Sequence, residues 1–315
     1  RQVFFVFMAL TILIVCMNRI QSEEDIRKTI EVFVMGTILQ TGLGWYEYFT
    51  GDYMYIDKAR SITYAAEQLP VALMNNVNDF ATLMLVTFIF SLYLFALEKN
   101  HIAKVLCLAY SASCITLILL SGSRANMIAL LCVIGFYLLF SGRNKLFVGF
   151  LVAAVLLFVP GVSETIQEGT EINFQANSGS DFARMGLIEN GFYFVKESYG
   201  FGIGAGQIEY YIKYKSLYNT AGATNMHNFW MEILTNYGIV IFIGYLIYYF
   251  KLIISAYIKS LKSNTNESSR KLNFTICSVL VGFIISCISS SSSAEYLWVL
   301  FAVFVSNYKL KFKEA

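Results

Sequence analysis

The sequence is poor in charge, proline and histidine. Only 14% of its 315 residues are charged, and it contains two prolines and two histidines. By contrast, 57% of the residues are hydrophobic and the mean hydropathy is +0.59, which is not the balance of a soluble globular protein. The formal net charge of +2 provides no broad basic surface, so nucleic acid is excluded as a partner. The composition predicts an integral membrane protein.

The sequence also lacks the residue spacings that mark a metal site or a redox pair. All six cysteines lie in apolar runs without close-paired spacing, and we interpret them as small core hydrophobes. The seven acidic residues from Glu164 to Glu209 show no spacing that is typical of metal ligands. We therefore predict no metal and no cofactor.

Nine apolar stretches are candidate membrane spans, because about 20 residues are needed to cross a bilayer. Their approximate bounds are Val3–Met17, Thr29–Trp45, Asp79–Leu97, Ala103–Leu120, Asn126–Phe140, Lys145–Val159, Tyr237–Ile258, Leu272–Ile288 and Ala294–Tyr308. They predict an all-α fold, with residues 1–315 forming a single polytopic membrane bundle.

Lysine and arginine are concentrated in every second connection between these spans. Because short cytoplasmic loops are enriched in both residues, the basic connections are assigned to the cytoplasm. The alternate connections, which include Ser121–Ala125 and Gly161–Asn236, are then outside. This orientation puts Arg1 outside, and the chain does not begin with Met. We expect a fragment that lacks about three upstream spans.

The connection Gly161–Asn236 is too long for a simple loop and is rich in Phe and Tyr, unlike a disordered segment. We expect it to be folded. Its stretch Phe182–Glu197 has apolar residues near helical spacing and predicts an amphipathic helix, with Ser180 or Asp181 as N-cap. Two placements remain open: the helix lies along the membrane face, or it packs against the bundle.

Three residues on the predicted outer side have side chains suited to chemistry. His227 can accept a proton near neutral pH, and Arg124 and Arg184 present planar forks of donors that suit phosphate oxygens. Each has an ordinary alternative. His227 is then a structural histidine, Arg124 reaches the membrane surface from a span end, and Arg184 pairs with a nearby acid. His101 is interpreted as a solvated cytoplasmic residue.

The run Gly200–Gly206 (GFGIGAG) has a superficial similarity to a nucleotide-binding loop. That fingerprint requires a strand before it and a helix after it in a βαβ unit, which this sequence does not provide. We interpret the run instead as a flexible turn that brings Arg184 and His227 together.

Three segments together resemble the O-antigen ligase and Wzy-type polysaccharide polymerase family. They are SGSRANMIALL from Ser121, SGSDFARMGLIENGFYFVKESYGFGIGAGQ from Ser178, and HNFWMEILTNYGIVIFIGYL from His227. NNVNDFATLML from Asn75 is similar to the entry of an earlier span in that family. The sequence differs from the family pattern at Ala125, at Glu197–Tyr199 and at Asn236, where the family often has glycine, proline and glutamate.

The resemblance implies a helical glycosyltransferase of the GT-C-like kind in the cytoplasmic membrane, with its active site on the extracytoplasmic face. Such an enzyme is metal-independent and inverting, and it transfers glycan from an undecaprenyl-diphosphate-linked oligosaccharide to a glycan acceptor. A chain-length regulator is a candidate partner. By the same resemblance, His227 is the catalytic base and Arg124 and Arg184 bind the diphosphate. Residues expected to support the site are Asn228, Ser123, Gly204 and Asp79.

Three functions are compatible with these features. The first is a polymerase that extends a surface polysaccharide such as a capsule or a teichuronic-type polymer. The second is a ligase that moves a finished glycan onto a lipid or wall acceptor, because both enzymes use the same donor. The third is a transporter of lipid-linked sugars, although transporters usually carry polar residues at mid-membrane.

Overall fold

The computed structural model describes residues 2–56, 58–74, 76–140, 180–262, 266–291 and 296–310. These residues form α-helices and one short 3-10 helix, and they contain no β-strand. The all-helical prediction is therefore confirmed. The helices are α1 Gln2–Arg19, α2 Glu23–Thr50, α3 Lys58–Glu67, the 3-10 helix Ala72–Met74, α4 Val77–Leu97, α5 His101–Leu120, α6 Arg124–Phe140, α7 Ser180–Glu197, α8 Ile208–Lys215, α9 Phe229–Leu261, α10 Glu267–Ser286 and α11 Tyr296–Lys309.

Four of these helices, α4, α5, α9 and α10, are long and apolar enough to cross a membrane. They contain or overlap the predicted spans at Asp79, Ala103, Tyr237 and Leu272. Two shorter apolar helices, Val6–Arg19 and Arg124–Phe140, correspond to two further spans, and the span Lys145–Val159 lies outside the described residues. The protein is a multi-pass membrane protein, while the number of nine spans stays a prediction.

The chain divides into two compact units, each described by itself. The bundle unit comprises Met17–Thr170, Leu252–Ser286 and Val303–Ala315, and the loop unit comprises Arg1–Cys16, Glu171–Lys251 and Cys287–Ala302. In the bundle unit, α4 is the central helix and contacts α2, α5, α6 and α10. It is buried from Asn78 to Tyr93, as expected of a helix that is apolar on nearly all sides.

The helices of the bundle unit meet closely where a glycine replaces a side chain. A Cβ atom on Gly282 of α10 would lie 2.7 Å from Val133 Cγ2 of α6 and 3.4 Å from Leu85 Cδ2 of α4. Small residues permit this approach between membrane helices, where dispersion contacts replace the hydrophobic effect as the driving force. Phe136 of α6 also stacks on Phe274 of α10, with ring centroids 5.2 Å apart.

A buried carboxylate anchors the segment that leads into α4. Glu47 Oε2 accepts hydrogen bonds from the backbone N–H groups of Val71 (2.8 Å) and Ala72 (2.7 Å), at the start of the 3-10 helix. Burial raises the pKa of Glu47, while the two backbone donors oppose that rise. Asn76 then caps α4 by accepting hydrogen bonds from the backbone of Asn78 and Asp79.

In the loop unit, α7 and α8 pack with the start of α9 around one apolar cluster. Its buried members are Leu187, Phe194, Val195, Ile208, Ile212, Met226, Met231 and Leu234. The large predicted connection is thus folded over residues 180–236. All of these residues belong to the loop unit, so the choice between the two placements of α7 stays a prediction. The N-cap prediction was wrong, because Ser180 and Asp181 lie inside the helix rather than before it.

One buried amide ties the loop after α8 to α7. Asn190 is fully buried, and its Nδ2 donates to the carbonyls of Gly186 (2.7 Å) and Tyr218 (2.8 Å). Its Oδ1 accepts from the backbone N–H groups of Leu217 (2.7 Å) and Tyr218 (3.1 Å). All hydrogen-bonding positions of the amide are therefore used, as burial of a polar group requires.

The glycine run after α7 clamps a break in α9. Gly238 lies inside α9 with φ +82° and ψ +177°, a backbone region that is essentially restricted to glycine. The glycine run supplies hydrogen bonds at this break. Ile203 N–H donates to Thr235 O (2.9 Å), Gly204 N–H donates to Asn236 O (3.0 Å), and Ile239 N–H donates to Gly200 O (2.8 Å). Broken helical hydrogen bonds are thus replaced by bonds between segments.

Substitution of Gly238 by alanine should disrupt this clamp. A Cβ atom would lie 2.3 Å from Gly200 O, and the backbone conformation is strained for any other residue, so we expect about 2–4 kcal/mol of destabilisation. The matched control is Gly244→Ala in the same helix, where a Cβ meets nothing within 4 Å. We expect that change to be neutral or to stabilise by up to about 1 kcal/mol. Thermal unfolding followed by circular dichroism measures both, and equal midpoints for the two variants would contradict the clamp.

Candidate active site

His227 occupies the last position before the cap of α9. Its backbone N–H donates to Asn225 Oδ1 (3.1 Å). The next residue, Asn228, caps the helix: its Oδ1 accepts from Met231 N–H (3.1 Å), and its carbonyl accepts from Glu232 N–H (2.8 Å). Asn228 was expected to support the site, and the structure gives it this capping contact. Two asparagine side chains therefore fix the backbone on both sides of His227.

The backbone of His227 is left-handed, with φ +43°. A residue other than glycine in this region costs about 1–3 kcal/mol, and such residues cluster at functional sites. The side chain is half-buried, and its Nδ1 atom is buried. His227 thus lies on a strained backbone at the start of a long apolar helix.

Helices α7 and α9 run side by side in the same direction. A Cβ atom on Gly191 of α7 would lie 3.1 Å from Met226 Cε and 2.8 Å from Met231 Cε. Further along, a Cβ atom on Gly200 would lie 3.2 Å from Ile239 Cδ1. From Gly191 to Gly200 the first segment advances by nine residues, while the second advances by about eight, from Met231 to Ile239. The starts of α7 and α9 therefore lie at the same end of the pair.

Arg184 lies at that end, as does His227. It stands in the second turn of α7 and is half-buried. Seven residues, or about 10 Å of helix, separate Arg184 from Gly191. Gly191 in turn faces Met226, which directly precedes His227 in the chain. The loop unit thus brings Arg184 and His227 to one end of the α7–α9 pair.

The proposed role of the glycine run needs correction. Gly200–Gly206 lies at the opposite end of the pair, about 20 Å of helix away from Arg184. Its hydrogen bonds to Thr235 and Asn236 make it a fixed clamp rather than a flexible turn. Gly204, expected to support the site directly, acts here through its backbone at φ +93° and its bond to Asn236.

Arg124 belongs to the bundle unit, where it is the first residue of α6 and half-buried. The turn before it is held by buried polar side chains. Ser123 Oγ donates to Asn78 Oδ1 (2.7 Å), and Asn126 Nδ2 donates to Ser123 Oγ (2.9 Å) and to Asn78 O (3.2 Å). Thr82 Oγ1 donates to Asn126 Oδ1 (3.1 Å). Ser123 therefore fixes the start of α6 on α4.

Asp79, the last of the expected supporting residues, is buried in the first turn of α4. It follows Asn78 directly, so it belongs to the same end of the helix as the network around Ser123. A carboxylate is favourable in the first turn of a helix. In the bundle unit, the structure thus groups Arg124, Ser123 and Asp79, and in the loop unit it groups Arg184, His227 and Asn228.

Sequence reasoning missed a buried carboxylate close to His227 in the chain. Glu232 is 7% exposed, and Ser291 Oγ donates to its two carboxylate oxygens at 3.1 and 3.4 Å. Ser289, Ser290 and Ser291 are themselves buried. The available signal was one acidic residue inside the apolar stretch after His227, because such residues are costly in membranes.

Metal ligation finds no support among the residues that the structure describes. They include no group of three or more His, Cys, Asp or Glu side chains that could hold a metal ion. The residues at hand offer an imidazole, guanidinium groups and carboxylates, which can transfer protons and bind anions.

Known proteins are similar to the part of the chain that contains the candidate site residues. A family model described as O-antigen ligase matches residues 109–246, a range that contains Arg124, Arg184 and His227. The chain is also similar to the teichuronic acid biosynthesis protein TuaE of Bacillus subtilis (strain 168), with 27% identity over 301 residues. That alignment covers 91% of this chain and 62% of the relative, so the chain spans less than two thirds of the relative's length.

The two comparisons agree with the motifs and with the helical membrane fold. The family model covers the start of α6, all of α7 and α8 and the His-Asn start of α9, and the relative extends the similarity over most of the remaining chain. Residues 109–246 thus match the O-antigen ligase family, and most of the chain is similar to a teichuronic acid biosynthesis protein.

Proposed function

We propose that this protein is a polymerase of a cell-surface polysaccharide. It transfers glycan from an undecaprenyl-diphosphate-linked donor to a sugar hydroxyl of the acceptor, on the extracytoplasmic face of the cytoplasmic membrane. The relative's name refers to teichuronic acid biosynthesis, which supports a polymer-forming role. A chain-length regulator is a candidate partner of this activity.

The observation that carries the proposal is the backbone of His227. His227 is a strained left-handed residue, and such a residue is costly for stability alone. Asn225 and Asn228 fix its backbone. It lies at the same end of the α7–α9 pair as Arg184. The arrangement is what a general base needs, because the imidazole must keep one direction toward the incoming hydroxyl.

The proposed reaction is a single displacement. The acceptor oxygen forms a bond to the anomeric carbon of the donor's reducing-end sugar, and the bond from that carbon to the phosphate oxygen breaks. His227 takes the hydroxyl proton, and undecaprenyl diphosphate leaves with the electron pair. Because one displacement reverses the configuration of that carbon, the enzyme is inverting. The diphosphate linkage is already activated, so the step requires no metal.

The two arginines are assigned to the donor. Negative charge on the diphosphate grows as the glycosidic bond breaks, and guanidinium groups stabilise such charge with bidentate hydrogen bonds. Arg184 contributes from the second turn of α7 and Arg124 from the start of α6. The network of Asn78, Ser123 and Asn126 holds the backbone that carries Arg124.

Replacement of His227 by asparagine tests the base directly. Asparagine tolerates a left-handed backbone, so the variant should fold, yet it cannot accept the proton. We expect transfer to fall by about 10²–10⁴-fold, while binding of the lipid-linked donor is unchanged. The control is His101→Asn, which changes the other histidine, an exposed residue at the start of α5. Transfer at the wild-type rate by the His227 variant would refute the assignment.

The arginine assignment predicts an effect on the donor. Replacement of Arg124 or Arg184 by glutamine should weaken transition-state stabilisation by about 1.5–3 kcal/mol per lost charged hydrogen bond, or roughly 10- to 150-fold in kcat/KM for the donor. Lysine at either position should restore only part of the rate, since it lacks the bidentate fork. Arg270→Gln, at an exposed position in α10, is the control. Equal kinetics for all three glutamine variants would contradict the assignment.

The product separates the polymerase from its alternatives. Purified protein incubated with lipid-linked repeat units should yield a ladder of lipid-linked chains of increasing length. A ligase would instead move one finished glycan to a different lipid or wall acceptor. A transporter would form no new glycosidic bond, so lipid-linked repeats that cross a vesicle membrane unchanged in length would overturn the enzyme proposal.

A further inference from the structure

The loop unit contains an open cleft that the proposed chemistry does not use. It lies between α8 and the segment that follows it, with a volume of about 680 Å³, which is in the usual range for ligand sites. One wall is formed by Tyr210 and Tyr214 of α8, and the other by the segment from Thr220 to Thr224. We propose that this cleft binds the sugar chain of the acceptor.

The lining of the cleft has the mixed chemistry that a sugar ring requires. Tyr210 and Tyr214 are 53% and 63% exposed, and their ring centroids lie 5.0 Å apart with the planes tilted by 49°. Such rings offer flat apolar faces to the C–H groups of a pyranose. The hydroxyl groups of Ser216 and Thr224 can donate to and accept from the sugar hydroxyls.

The charges in the cleft argue against the donor as its occupant. The lining contains Glu209 and Lys213 and no arginine. Lys213 Nζ lies 5.2 Å from the ring centroid of Tyr214. A diphosphate would meet a carboxylate here without a guanidinium to neutralise it. A neutral or weakly charged glycan has no such conflict, because a carboxylate is a strong acceptor for hydroxyl groups.

The cleft also adjoins the proposed base. Thr224, at its edge, precedes His227 by three residues, a distance of at most about 10 Å along the chain. Thr220 Oγ1 donates to Ala223 O (2.7 Å), and Ala223 N–H donates to Thr220 O (2.9 Å), so this wall is a hydrogen-bonded turn. Met226, between the turn and His227, belongs to the buried cluster. A chain held in the cleft is therefore anchored next to the imidazole.

The same tyrosines could instead lie in the membrane surface, where Tyr and Trp are enriched. The structure favours the glycan, because the tyrosines line a concave site together with a carboxylate and three hydroxyl groups. A membrane anchor would present a continuous apolar surface.

The test uses the full chain in nanodiscs, the variant Tyr210→Ala/Tyr214→Ala, and short oligosaccharides released from the cells' purified surface polysaccharide as soluble acceptors. The acceptor KM should rise roughly tenfold, as expected for the loss of an aromatic anchor, with the donor KM unchanged. The matched control is Tyr199→Ala, which removes a tyrosine that is 92% exposed and does not line the cleft. Thermal unfolding should show that both variants are folded.

A second measurement separates this inference from the proposed function on which it rests. Binding of the same oligosaccharides is measured by saturation-transfer nuclear magnetic resonance in the His227→Asn background, with and without the two tyrosine changes. Binding that depends on the tyrosines supports the cleft even if no transfer is ever observed. Equal binding with and without them, or an equal rise in donor KM, would overturn it.

Discussion

The hydrogen bonds between the glycine run and the break in α9 are the constraint on which the candidate site depends. A helix that is long and apolar enough to cross a membrane cannot leave its backbone groups unsatisfied. Gly238 interrupts α9, and the backbone of Gly200, Ile203 and Gly204 takes part in the replacement bonds. The clamp thereby fixes the register between α7 and α9.

The proposed acceptor cleft and the segment that carries the proposed base are both attached to α7. Asn190 on α7 binds the segment after α8 through three hydrogen bonds, so the segment that leads into the wall of the cleft is attached to the helix that also carries Arg184. Met226 then packs against Gly191 on the same helix. The arginine proposed to bind the donor, the wall of the proposed acceptor cleft and the proposed base are thus all attached to α7. Attachment to one helix is how a protein keeps reacting groups within close tolerance.

The sequence was sufficient to predict the fold class and to recognise the resemblance to the family. It was not sufficient to predict contacts between residues that are far apart in the chain. Apolar periodicity and length predicted the helices, and the His-Asn and Gly-Ser-Arg segments indicated the family. The predicted span began at Tyr237, next to the break at Gly238 that divides α9 into two helical stretches, and the stretch before the break was not predicted. Glu232, Asn126 and Asn190 were missed for a common reason. Each is a polar residue in an apolar stretch, and its partner, such as Ser291 for Glu232, is distant in sequence.

The departure of this chain from the family pattern at Asn236 has a physical consequence for α9. Asn236 cannot supply a negative charge, and its Oδ1 accepts a hydrogen bond from Gly206 N–H at 3.2 Å, so the side chain serves the clamp. The carboxylate of this part of the helix is Glu232, one turn earlier. It lies in the first turn of α9, where the helix dipole favours an anion, and it accepts from Ser291. The carboxyl group of Glu232 is thus nearer to His227 along the chain than that of a glutamate at position 236 would be.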